Sequence, residues 1–156
     1  MALRERFTDD LKTAMKGGDK VRVATIRLIQ AALKDRDIEA RGLSKEPLSD
    51  EDILGLLQKM IKQRQESAEL YDKGGRPELA AQEREEIEII TAFLPQQMSD
   101  LEAGSVIQQI VHEINAQGLK DMGRTMAALK ERFAGKMDFA KASAKVKELL
   151  SRQKQA

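Results

Sequence analysis

The stretch SDEDILGLLQKMIKQRQESAELYDKGGRPELAAQEREEIEIITAFLP, residues 49–95, decides the fold. Ser49 is followed by Asp50, Glu51 and Asp52, a hydroxyl at an N-cap with carboxylates in the first turn, where the helix dipole favours negative charge. Ile53, Leu57, Met60 and Ile61, then Leu70 and Tyr71, recur at helical spacing as far as Gly74-Gly75. Pro77 sits where a helix can start without its N–H. Leu79, Ile87, Ile90 and Leu94 stripe that second helix until Pro95 ends it. The link Gly-Gly-Arg-Pro is tight, so the two long helices are expected to form an antiparallel hairpin.

The same punctuation extends outward. Upstream, Leu3, Phe7, Leu11 and Met15 fall four apart in a first helix stopped by Gly17-Gly18. Asp19 can cap a second, striped by Val23, Ile26, Ile29 and Leu33 and ended by Gly42, with a polar loop around Pro47. Downstream, Ser99 with Glu102 reads as a capping box before Val106, Ile107, Ile110, Val111 and Ile114, with Gly118 as the stop. Met122, Met126, Leu129 and Phe133 mark a shorter helix ending near Gly135. Asp138 can cap the last helix, with Phe139, Val146 and Leu150 inward. The expected fold is therefore all-α in two helical subdomains. Residues 1–98 form a four-helix part containing the hairpin, and residues 99–156 a three-helix part. The 156 residues are 41% apolar and 34% charged but only 3% aromatic. Such a chain can bury a core, and its composition suits helices better than a β-sandwich or barrel.

Several chemistries are closed. There is no cysteine, so disulfides, thiol nucleophiles and thiolate metal sites are excluded. The longest apolar runs are a few residues, too short to span a bilayer, so no membrane role is expected. The chain turns charged within Met1–Phe7, which reads as a cytoplasmic protein without a secretory leader. No cofactor and no metal site is expected.

Residues 118–125, Gly-Leu-Lys-Asp-Met-Gly-Arg-Thr, come within one position of a phosphate-binding P-loop, with Arg124 in place of lysine. That chemistry needs a strand before the loop, and none is visible, so a helix stop is the simpler reading. His112, the single histidine, lies beside an apolar stripe with Gln109 three residues before it, so no helical Glu-x-x-His metal motif forms. Glu83, Glu85, Glu86 and Glu88 can do acid–base work or hold a hard cation, but at this spacing they also make a solvated face. Glu83 and Glu86 share a face and can receive an arginine from a neighbouring helix. Arg76 at a helix start can hold an anion or pair with a nearby glutamate. No residue is assigned a catalytic role.

Charge is the remaining feature. Residues 1–98 carry 17 basic and 19 acidic residues, while residues 99–156 carry 10 and 7. All ten of those bases lie in residues 120–156, against four acids, a net charge of +6 there. Lys120, Arg124, Lys130, Lys136, Lys141 and Lys145 are the candidates for phosphate contact, within a set completed by Arg132, Lys147, Arg152 and Lys154. Phe133 and Phe139 belong to the apolar stripes, so no aromatic platform accompanies them, which favours structured RNA over single strands. A solvated basic face reads equally well from charge alone.

The run Lys62-Gln63-Arg64-Gln65-Glu66-Ser67 through Gly75-Arg76-Pro77-Glu78-Leu79, then Glu83, Glu86 and Leu94-Pro95, resembles the YqeY family. So does Asp121-Met122-Gly123-Arg124-Thr125-Met126 with Gly135-Lys136-Met137-Asp138. Arg124 stands where lysine is usual and Met137 where a small residue is common. The resemblance implies a two-part helical fold related to the tail of the GatB subunit of glutamyl-tRNA and aspartyl-tRNA amidotransferases, a tail that helps grip tRNA. It further implies tRNA or structured RNA as partner, with no specificity for DNA, and amidotransferase subunits or tRNA synthetases as associated proteins. Participation in glutamine-dependent amidation of mischarged tRNA would rest on this relatedness alone. The serines stand singly, and the sequence has no glycine- and serine-rich segment of the kind that a Ser–Ser–Lys amidase needs. A protein-interaction adaptor using the 49–94 hairpin is the third reading.

Overall fold

The structure is a computed structural model that describes residues 2–154, with side chains described as far as Arg152. Seven α-helices, and no strand, occur among the described residues. The chain divides into two compact units, Met1–Leu94 and Pro95–Ala156. The sequence reading put the change at 98/99. The four residues between, 95–98, belong to the second unit, because Met98 packs on its core, the Met98 N–H donates to the Lys136 carbonyl (2.9 Å) and Gln97 Nε2 donates to that of Gly135 (2.6 Å).

The first unit contains α1 (Leu3–Lys16), α2 (Lys20–Gly42), α3 (Asp50–Lys73) and α4 (Pro77–Thr91). Asp19 accepts from the Arg22 N–H as the α2 cap, and Ser49 and Asp52 form a complete reciprocal capping box on α3. Pro77 opens α4 after Gly75, whose φ of 73° makes the left-handed turn between the two hairpin helices. The core joins Leu3 and Phe7 of α1, Ile26, Ile29 and Leu33 of α2, and Ile53, Leu57 and Met60 of α3 to Ile89, Ile90 and Phe93 at the end of α4. Towards the hairpin tip the buried apolar residues are small, Ala68 and Ala80, which lets the two helix backbones approach closely.

Three positions depart from the periodic reading, for geometric reasons. Met15 is 53% exposed and Ala14 is buried instead. Successive steps of four overshoot a 3.6-residue turn by about 40° each, so by Met15 the drift from Leu3 is about 120°, while Ala14 returns to within about 20°. Leu70 is 68% exposed and Ala68 is buried in its place, because Leu70 lies about 140° around the helix from the buried Leu57 and Ala68 only about 20°. Helix α2 runs through Gly42, and the left-handed residue that ends it is Ser44, at φ 58°.

An ion-pair lattice ties the α2–α3 loop to α1. Arg4 is bidentate to Asp37 (2.7 and 3.0 Å) and also donates to the Leu48 carbonyl, while Asp37 accepts from the Leu48 N–H. The Arg4 hydrogen bond, helped by the Leu48 N–H, holds the Asp37 carboxyl below its ordinary value of 3.8. A depressed carboxyl pKa stabilises the fold above 3.8 and loses that contribution as pH falls through the lowered folded value. Asp37→Asn should therefore flatten the acid limb of the stability–pH curve below about pH 4, measured by urea unfolding; an unchanged acid limb contradicts the lattice.

The second unit contains α5 (Asp100–Glu113), a 3-10 turn over Leu119–Asp121, α6 (Met122–Phe133) and α7 (Phe139–Lys154). Ile107, Ile110, Val111, Leu129, Met137, Ala142, Val146 and Leu150 form its own core. Ser99 accepts from the Glu102 N–H, but Glu102 takes the Ser99 hydroxyl and not its backbone N–H, so the capping box is half made. The left-handed residue that follows α5 is Asn115, at φ 54°, and not Gly118, which is extended.

Candidate nucleic-acid interface

All six candidate cations, Lys120, Arg124, Lys130, Lys136, Lys141 and Lys145, are solvent-exposed. Their elements are short amphipathic pieces whose apolar stripes face the second core, which forces the basic residues outward. Lys120 and Arg124 are four apart across the 3-10 turn and the start of α6. Lys136 stands in the link before α7, and Lys141 and Lys145 share one face of α7. Lys130 is six positions beyond Arg124, about 120° away around α6, so the six do not form a single file.

Charge matching separates the arginines from the lysines. Arg124 donates to Asp121 (3.2 Å), Arg132 to Glu113 (2.6 Å) and Arg152 to Glu148. Asp121 is held below the usual carboxylate range first by the Gln117 N–H (2.7 Å) and then by Arg124. Lys145 reaches the Asp100 carbonyl (3.2 Å), closing a small groove of about 150 Å³ between the start of α5 and α7 that Lys141 also lines. Lys120, Lys130, Lys136, Lys141 and Lys147 have no side-chain partner among the described residues. The Lys154 side chain lies outside the described residues. Sequence counting overlooked this sorting, because the neutralising acids Glu113 and Asp121 are recognisable only once α5 and the 3-10 turn are placed.

The other constellations resolve as local structure. The P-loop-like run has a helix and turn before it. Its Thr125 hydroxyl is fully buried and donates to the Asp121 carbonyl (2.8 Å), so it is not offered to a ligand. His112 is exposed in the last turn of α5. In the acidic stretch, Glu86 accepts from Arg64 of α3 at 2.9 Å, and Arg76 pairs with Glu78 at 2.8 Å. Among the described residues no group of three or more His, Asp or Glu is placed to hold a metal ion. Nor is any helix long and apolar enough to cross a membrane.

Comparison with known proteins agrees in one direction and corrects another. The family model described as Yqey-like protein matches residues 4–150, nearly the whole chain. The chain belongs to this family. It is also similar to altered inheritance of mitochondria protein 41, mitochondrial, of three yeasts. Over 87 residues it is 38% identical to that of Lachancea thermotolerans, covering 56% of this chain and 45% of the relative. Over 85 residues it is 32% identical to that of Vanderwaltozyma polyspora, covering 54% and 44%. Over 85 residues it is 33% identical to that of Eremothecium gossypii, covering 54% and 45%. The matched stretch thus spans less than half the length of these curated relatives. Their names overturn the cytoplasmic expectation: relatives named as mitochondrial proteins align with more than half of this chain, and a charged first turn does not decide a compartment.

Proposed function

We propose that this YqeY-family chain is a non-catalytic accessory protein that holds tRNA or another structured RNA on the basic surface of residues 120–152. The observation that carries the reading is the unmatched positive charge there. Lys120, Lys130, Lys136 and Lys141 are exposed and lack carboxylate partners, in a unit whose bases all fall after residue 119. Arg124 and Lys145 complete the surface at lower weight, because Asp121 and the Asp100 carbonyl already engage them. Contacts of this kind grip phosphate and read no bases, so the surface discriminates by RNA shape. Amidotransferase subunits and tRNA synthetases are the protein partners such a role calls for, a point supported by the resemblance in the sequence.

Protein purified at low salt should carry RNA, visible as a raised 260/280 nm absorbance ratio. Its tRNA affinity should fall with salt at a log–log slope of about −0.7 to −0.9 per phosphate contact. Changing Lys120, Lys136 and Lys141 together to glutamine should weaken all structured RNAs alike and make the slope shallower. Arg124→Gln alone should do little. Exposed substitutions of this kind shift stability by no more than about 0.5 kcal/mol, so circular dichroism and Tm should hold. No tRNA retention at about 50 mM salt, or a triple variant with wild-type affinity and slope, rejects the reading.

A further inference from the structure

The first unit contains a second cluster of cations that the charge count conceals, because its overall balance is acidic. Lys34, Ile38 and Arg41 fall at i, i+4 and i+7 on one face of α2. The left-handed Ser44 folds the chain back so that the Lys45 N–H donates to the Ala40 carbonyl (2.8 Å), which returns Lys45 to that face. Arg4 comes in from α1, and Pro47 closes the rim. Together these side chains and Asp37 line a cavity of about 630 Å³.

Asp37, the single acid of the lining, is already held by Arg4 and the Leu48 N–H. Lys34, Arg41 and Lys45 have no side-chain partner among the described residues. Three unmatched cations thus face one concavity, beside an apolar wall that includes Ile38, itself 59% exposed.

We infer that this cavity between α1, α2 and the α2–α3 loop binds a nucleoside di- or triphosphate, its phosphates on Lys34, Arg41 and Lys45 and its base against Ile38 and Pro47. The size lies within the range of small-molecule sites, roughly 300–1,000 Å³, where an extended acidic peptide would need a longer groove. Clustered cations match a compact polyanion, and the apolar wall matches the flat ring attached to it. A magnesium ion is not required, since the one carboxylate present is committed to Arg4.

The inference is separate from the RNA reading, which uses the other unit. The full chain, isotopically labelled, is titrated with ADP in magnesium-free buffer and followed by amide chemical shifts. Saturable shifts centred on residues 34–48 are expected. Lys34→Gln and Arg41→Gln should each weaken ADP about tenfold, the loss of one charge-assisted contact. Inorganic tripolyphosphate, lacking the base, should bind more weakly than ADP, and adenosine should bind weakest. Shifts confined to residues 120–152, unchanged affinity in both variants, or tripolyphosphate binding as tightly as ADP would each overturn it. Retention of tRNA, measured on the same two variants, should stay at the wild-type level; its loss would also overturn the inference, because the cluster would then be serving RNA.

Discussion

Phe93→Ala should cost the first unit about 3–5 kcal/mol, the usual loss when a fully buried phenylalanine is truncated. Phe93 follows the last turn of α4, is 1% exposed, and meets Phe7 of α1 edge-to-face with ring centroids 4.9 Å apart. That contact closes the chain's first helix onto the end of the hairpin, across 86 positions of sequence. Arg6 adds to it, with its guanidinium 5.2 Å from the Phe93 ring centroid and its Nη atoms donating to the Ala92 and Phe93 carbonyls (3.3 and 3.4 Å). Those carbonyls are among the orphan acceptors that end every helix, so Arg6 acts as a C-terminal cap supplied from another element. Truncation therefore removes the packing of Phe7 and the ring under Arg6 together. Phe93→Leu keeps most of the volume and should cost well under half as much. Arg6→Gln, which spares the rings, should cost about 0.5–1 kcal/mol. Hydrogen exchange of the α1 and α4 amides reads all three variants. A loss below about 1 kcal/mol for Phe93→Ala would show that α1 is held elsewhere.

Phe93 also marks what the sequence carried and what it did not. The caps at Asp19 and Ser49 and the opening proline Pro77 act within three or four residues, so their chemistry was readable, and the helices they start were placed correctly. Helix ends were readable where glycine takes the left-handed residue, as at Gly18, Gly75 and Gly135. They were misread at Ser44 and Asn115, where a non-glycine residue does so and composition gives no cue. Inward faces were misplaced at Met15, where counting in fours accumulates angle, and at Leu70, which lies about 140° around its helix from Leu57. The candidate RNA surface was legible as charge but not as geometry. Which bases are matched depends on Glu113 reaching Arg132 across 19 residues and on the Gln117–Asp121 turn. The cation cavity at Lys34, Arg41 and Lys45 was invisible, since local counting averages it into an acidic unit.

Arg64→Ala should destabilise the first unit by about 2 kcal/mol at pH 7, and by less at pH 5. Arg64 of α3 donates Nε to Glu86 of α4 (2.9 Å) and Nη1 to its own helix at the Met60 carbonyl (3.2 Å). The two side chains are only 15% and 20% exposed. Removing one partner of a shielded pair leaves an unmatched charge; about 3–5 kcal/mol is the cost when burial is complete, and the residual exposure here reduces it. Glu83, one turn earlier on α4, sharpens the test. Its pKa is raised above the ordinary 4.5, first by burial and then by Glu86, with Arg64 opposing. A raised carboxyl pKa favours the fold while the group is protonated, and that contribution is lost as pH rises through the folded value. At pH 7 Glu83 is thus a liability that Arg64 relieves. Without the guanidinium, Glu83 and Glu86 repel across one helical turn, and protonation of the raised Glu83 carboxyl as pH falls relaxes that repulsion. Glu83→Gln should accordingly be neutral to stabilising at pH 7 and should shrink the pH dependence of Arg64→Ala. The pair Arg64→Met with Glu86→Met should recover much of the single-variant loss, because apolar replacement of a shielded ion pair leaves no orphaned charge. Urea unfolding at the two pH values measures each term. Equal losses for Arg64→Ala at pH 5 and pH 7 would mean that repulsion between Glu83 and Glu86 contributes nothing to the loss.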